Sequence, residues 1–156
     1  MKGFGTMHKI LFICHGNICR SPMAEFVMKD LVDRRGVAQR FHIESAATSN
    51  EEIGSPVHPG TRRRLSREGI SCEGKRARRV MRDDYDDFDV IVGMDEANVR
   101  NLNRLFADDP ESKVHLLMEF AGESRSIADP WYTGDFDATY DDVLKGCVGL
   151  LGWLHA

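Results

Sequence analysis

The sequence predicts a single doubly wound α/β domain, with a central four-stranded parallel sheet and helices on both faces. Four short apolar segments, at residues 10–13, 41–45, 88–94 and 113–117, alternate with stretches whose apolar residues recur at helical spacing. The first, Ile10-Leu11-Phe12-Ile13, is uninterrupted and half β-branched, the pattern of a strand buried on both faces. At 156 residues with 42% hydrophobic content, the chain has the length and the apolar material for one core.

Residues 1–6 hold two glycines and no periodicity, and Met7 is a plausible start, so they are assigned to a flexible extension and residues 7–156 to the domain. After the first strand, Ala24, Phe26, Val27, Leu31 and Val32 mark a helix over 22–35, with Pro22 in its first turn and Gly36 just past its end. Residues 41–45 alternate as a second strand, and a polar stretch follows to Pro56. A second helix over 61–67 ends at Gly69 and carries Arg62, Arg63, Arg64 and Arg67. Lys75, Arg76, Arg78, Arg79 and Arg82 continue the basic run, and Asp83, Asp84, Asp86, Asp87 and Asp89 come directly after it, so pairing between the two runs is expected. Residues 88–94 form the third strand, with Asp95 placed to cap a helix whose buried face is Val99, Leu102 and Leu105. The fourth strand is 113–117. A long polar segment, 119–139, is of the kind that carries function in a compact domain. A last helix, 140–154, has Val143, Leu144, Cys147, Leu150 and Leu151 to cover the sheet. Parallel strands joined by helices imply right-handed crossovers, with the binding crevice at the carboxyl ends of the strands.

The connection from the first strand to the first helix is the chemically informative stretch. Cys14-His15-Gly16-Asn17-Ile18-Cys19-Arg20-Ser21 is a tight turn whose backbone N–H groups can converge on an anion, aided by the helix dipole. Such a field favours a thiolate, the form in which Cys14 attacks. Arg20 adds a planar guanidinium able to hold two oxygens of a phosphate together.

Cys14-x5-Arg20-Ser21-Pro22, continued by Met23-Ala24-Glu25, resembles the low-molecular-weight protein tyrosine phosphatase family. Two further stretches match in the family's order: Met94-Asp95-Glu96-Ala97-Asn98, and Asp129-Pro130-Trp131-Tyr132. The resemblance implies a Cys14 nucleophile, a phosphate cradle of His15, Gly16, Asn17, Ile18, Cys19, Arg20 and Ser21, and Asp129 as general acid and base. It also implies loop support from Asn17 and Ser45, a substrate cleft walled by Glu51, Trp131 and Tyr132, and redox pairing of Cys14 with Cys19. The chain departs from the family at His15, where an apolar residue is common, at Lys75, where histidine is common, and at Asn50, Glu51 and Glu52, where some members carry an aromatic residue. The expected partner is a phosphotyrosine-containing protein.

Composition narrows the remaining classes. A net charge of −4 gives no general argument for nucleic acid or an anionic membrane, and no apolar run approaches the ~20 residues of a membrane span. Without a signal-peptide pattern, and with four cysteines in no scaffold arrangement, the expectation is a reduced cytoplasmic protein, monomeric, needing no cofactor and no metal. Two alternatives were weighed. A thioredoxin-coupled arsenate reductase on the same fold needs two further cysteines in a relay, and Cys72 and Cys147 are far apart in sequence. A phosphoprotein-binding module without turnover needs no nucleophile, arginine and acid together.

Overall fold

The apolar run at residues 10–13 forms the middle of β1 (His8–Cys14), and each of its side chains is fully buried. This computed structural model describes residues 7–155, so the extension expected at 1–6 lies outside it. The elements that follow are α1 (Arg20–Arg34), β2 (Phe41–Ala47), α2 (Pro59–Arg67), α3 (Asp84–Asp87), β3 (Val90–Gly93), α4 (Glu96–Leu105), β4 (Val114–Leu116), α5 (Pro130–Thr133) and α6 (Phe136–His155). Short 3-10 turns precede β2 (Ala38–Arg40) and follow β4 (Leu117–Ala121).

All four strands are parallel, in the order β2-β1-β3-β4. Alternate residues of β1 therefore feed two cores. Ile10 and Phe12 join Met23, Met28, Cys147 and Leu151 under α1 and α6, while Leu11 and Ile13 join Ile91, Leu102 and Phe106 on the α4 side. The predicted doubly wound sheet with helices on both faces is what the chain forms. Chain connections run outward from β1 and β3 in opposite directions, and the loops leaving these two central strands part to open a crevice.

Several boundaries moved. α1 begins at Arg20, so Arg20 and Ser21 belong to its first turn and not to the loop; Cys19 turns the chain, and its carbonyl accepts the Met23 N–H at 3.3 Å. β2 continues to Ala47 because its pairing with β1 runs to the Cys14–Ala47 pair. α2 begins at Pro59, where the ring Nδ1 of His58 accepts the Gly60 N–H at 2.9 Å and caps the helix. β3 is shorter than predicted because the run before it folds into α3. α6 begins at Phe136, and Asp135 accepts the Ala138 N–H at 2.9 Å. Asp95 caps α4 as predicted, accepting the Asn98 N–H at 2.7 Å, and the Asn98 side chain returns a bond to Asp95 N–H.

The basic run pairs with its acidic neighbour at one place only: Arg78 holds both carboxylate oxygens of Asp84 at 3.1 Å. Arg64 and Arg67 pair across to Asp137 instead, and Arg64 lies 4.0 Å from the Tyr140 ring centre. α6 packs so tightly on the turn after β4 that a Cβ at Gly149 would stand 1.9 Å from the Phe120 carbonyl oxygen. Among the described residues no helix is long and apolar enough to cross a membrane.

Candidate active site

β1 delivers Cys14 to the carboxyl edge of the sheet, and the chain then folds back over it. Cys14 is 3% exposed. The reversal depends on Asn17, which takes a left-handed φ of +59°, a conformation asparagine tolerates better than most residues. In return the Asn17 backbone N–H points at the Cys14 sulfur at 3.3 Å. Carbonyls of the loop face outward: Cys14 and His15 accept Thr48 and Ser49 N–H, Ile18 accepts His58 N–H, and Cys19 accepts the Thr61 hydroxyl at 3.2 Å.

The buried Asn17 side chain fastens this loop from below. Its Nδ2 donates to Ser21 Oγ at 2.8 Å and to Ser45 Oγ at 2.9 Å, and its Oδ1 accepts the Arg78 N–H at 3.1 Å. Asn17 donates into one lone pair of Ser21 Oγ, which leaves the Ser21 hydroxyl proton for the Cys14 sulfur, 3.0 Å away. The Ser45 hydroxyl donates onward to Glu25 Oε1 at 2.5 Å. Lys75, the departure from histidine, completes this chain: its ammonium donates to the Ser45 carbonyl at 2.9 Å and lies 3.3 Å from Glu25 Oε1, while Lys29 holds the other Glu25 oxygen at 2.6 Å. Burial pushes the Lys75 pKa below its ordinary value, against the raising effect of Glu25.

Arg20 is 3% exposed and held in place by groups from the far side of the crevice. Its Nη1 donates to Asp95 Oδ2 and to the Ile127 carbonyl, both at 2.9 Å, and Nη2 is 3.4 Å from Asp129 Oδ2. Nε is buried without a protein partner. Asp95 was read in the sequence only as a helix cap; it performs that task with one oxygen and orients Arg20 with the other. The signal lay in topology, since Asp95 follows the strand adjacent to β1 and must emerge at the same edge.

A cavity of about 230 Å³ contains these groups, lined by Cys14, Cys19, Arg20 and Asp129, with Trp131, Tyr132, Glu51 and Glu52 at its mouth. Trp131 and Tyr132 are 57% and 83% exposed. Trp131 meets the His58 ring edge-on at 5.6 Å, and burial lowers the His58 pKa, consistent with an Nδ1 that must stay unprotonated to cap α2. His15 points away from the nucleophile, to the rim, where its Nε2 bonds to Glu51. Asn50 turns aside to Arg79 Nη1 at 2.7 Å. The Cys19 thiol is pushed up to about 12, chiefly by burial and then by Cys14 and Asp129. A larger hollow of about 560 Å³ lies at Cys72, whose thiol burial pushes up in pKa.

Residues 9–156 match the family model described as low molecular weight phosphotyrosine protein phosphatase. The chain is 40% identical over 147 residues to the low molecular weight protein-tyrosine-phosphatase YfkJ of Bacillus subtilis, spanning 93% of this chain and 94% of that protein. The YfkJ crystal structure superposes with a TM-score of 0.94, covering 98% of both chains at 39% identity. A low molecular weight protein tyrosine phosphatase from Streptococcus pyogenes gives 0.86, covering 96% of this chain and 95% of that one at 43% identity. The low molecular weight phosphotyrosine protein phosphatase of Gallus gallus is 38% identical over 156 residues, 97% of this chain and 98% of its own. With a matching model over nearly the whole sequence and relatives of equal length, the chain belongs to the low-molecular-weight protein tyrosine phosphatase family.

Proposed function

We propose that this phosphatase hydrolyses phosphotyrosine in proteins through a phosphocysteine intermediate on Cys14. The Cys14 thiolate attacks phosphorus, forming an S–P bond as the P–O bond to the tyrosine ring breaks, and Asp129 donates a proton to the departing phenolate. Water then attacks the phosphocysteine and gives its proton to Asp129. The S–P bond breaks, inorganic phosphate leaves and the thiolate is restored. The inward amides of residues 15–21 and the Arg20 guanidinium carry the charge on the phosphoryl oxygens.

The observation that carries this reading is the state of Arg20. Two of its bonds fix the guanidinium plane, yet the buried Nε has no protein acceptor. Such a donor is costly to leave unmade, and a phosphoryl oxygen supplies the missing acceptor. Ser21 supports the same reading from the other side, because its hydroxyl is oriented to stabilise sulfur as an anion. Asn17 and Ser45 hold the loop's shape before substrate arrives, so that little reorganisation is needed on binding. Trp131 and Tyr132 offer exposed ring faces for a phenyl group, opposite Glu51.

We assign Cys19 the role of resolving thiol for an oxidised Cys14. Its high pKa keeps it protonated in ordinary turnover, leaving Cys14 as the nucleophile. The arsenate reductase alternative has no comparable support: Cys72 and Cys147 are both buried in the core cluster, with the Cys147 thiol directed at the Ala24 carbonyl. All four cysteines are free, in keeping with a monomeric enzyme of the reducing cytoplasm. The direct test is turnover of para-nitrophenyl phosphate. Wild type hydrolyses it, whereas Cys14→Ser retains inorganic phosphate binding and loses turnover, because a serine hydroxyl is a weak nucleophile at its own pKa. Hydrolysis by Cys14→Ser near the wild-type rate overturns the assignment, and absence of turnover by the wild type leaves a binding module.

A further inference from the structure

His15 forms the rim of the catalytic cavity and also one wall of a second groove, of about 380 Å³, on the other side. Arg79 and Arg82, from the basic run, and Arg104, from the end of α4, line that groove. No carboxylate lines it, although the protein as a whole carries 25 acidic residues against 21 basic ones. None of the three arginines forms an ion pair among the described residues. Arg79 and Arg104 donate only to the neutral amides of Asn50 and Asn101, at 2.7 and 3.1 Å. Of the acidic residues that follow in sequence, Asp84 is engaged with Arg78 and Asp109 with Tyr85 and the Lys113 backbone, and none lines the groove. The groove is therefore an uncompensated cationic surface beside the active site. Its lining contains no Phe, Tyr or Trp ring, and three guanidinium groups suit a compact oxyanion.

We propose that this arginine groove receives a second anionic side chain of the phosphotyrosine-bearing substrate, a carboxylate or a second phosphate a few residues from the phosphotyrosine. The proposal rests on the phosphatase reading of the Cys14 loop and adds to it a directional preference. The arginines lie beyond His15, whose ring is bonded to Glu51 at the cavity rim. An acidic residue is thus welcomed only on the side of the phosphotyrosine that leads past His15. An extended peptide advances about 3.3–3.6 Å per residue, so two hollows sharing a wall are reached within one short segment.

The experiment uses phosphotyrosine peptides with one Glu, Gln or second phosphotyrosine at two to four residues before or after the reacting tyrosine. In low salt, kcat/KM for the best-placed anionic peptide should exceed that of its Gln counterpart by about five- to twentyfold, mainly through KM, as expected for one or two solvent-exposed arginine contacts. Salt at 0.5 M, added as sodium chloride, should erode the preference. The double variant Arg82→Ala/Arg104→Ala should abolish it while hydrolysing para-nitrophenyl phosphate within about twofold of wild type. Arg35→Ala, an exposed arginine at the end of α1, controls for net charge and should keep the preference. A gain with glutamate identifies a carboxylate as occupant, and a gain confined to the doubly phosphorylated peptide identifies phosphate. Equal rates for anionic and Gln peptides, a preference that survives in the double variant, or an equal loss in Arg35→Ala overturns the proposal. Wild-type turnover of para-nitrophenyl phosphate separates this outcome from failure of the phosphatase reading.

Discussion

Asp129 divides its two oxygens between different tasks: Oδ1 accepts the Trp131 N–H at 3.1 Å and caps α5, and Oδ2 leans on Arg20. A carboxylate held this way is aimed into the cavity, and its removal should be felt where a proton is most needed. Asp129→Asn is expected to lower kcat by about 10²–10⁴ for aryl phosphates with basic leaving groups, and by less for leaving groups that depart as stable anions. A uniform loss across leaving groups would make Asp129 positional. Cys19→Ser should keep catalysis but recover poorly with dithiothreitol after peroxide, because the Cys14 sulfenic acid then has no adjacent thiol to trap it. Full recovery of that variant removes the resolving role. The Lys75 and Glu25 pair poses a different question, since both groups are taken out of water. Lys75→Met leaves the buried Glu25 with Lys29 and the Ser45 hydroxyl and should cost about 1–3 kcal/mol in urea unfolding, below the ~3–5 kcal/mol of a fully broken buried pair. Adding Glu25→Gln should restore most of it. The folded Lys75 pKa is depressed, so between that value and 10.5 the unfolded chain binds a proton the folded chain does not, and stability rises with pH. Wild type should accordingly gain on Lys75→Met as pH is raised towards 10.5.

Elements whose signals are local were legible in the sequence: β1 from four consecutive apolar residues, α1 from its periodicity and Gly36, and α4 from Asp95. α3 and α5 were not, because a four-residue helix has no period to detect. The start of α6 was missed at Asp135, an ordinary capping residue inside a polar stretch that read as loop. Contact partners of the basic run were equally hidden, since Lys75 finds an acceptor on α1, Arg78 on β2 and Arg64 on α6. Gly149 shows the limit of propensity. An alanine there is a better helix former by about 1 kcal/mol, yet its Cβ would overlap the Phe120 carbonyl, which cannot rotate away. Gly149→Ala is expected to lower stability by about 1–3 kcal/mol, read as a fall in the urea midpoint at unchanged slope. Unchanged or increased stability would mean that α6 can slide on the turn without loss.

At the scale of the whole molecule, sequence reading reached the parallel sheet and most of the residues that line the cavity, but the order β2-β1-β3-β4 and the grip of Asp95 and Ile127 on Arg20 are properties of the assembled sheet. The guanidinium at the centre of the site contacts residues 75, 107 and 109 positions further along the chain. The loop that bears Cys14 thus leaves a ribosome well before the groups that orient its arginine. Until the segment around Asp129 has emerged and docked beside β3, a nascent chain exposes a cysteine without its acid or the clamp on its arginine. The placement of Arg20 makes phosphatase activity wait on the segment around Asp129, and its appearance during synthesis marks the docking of that segment.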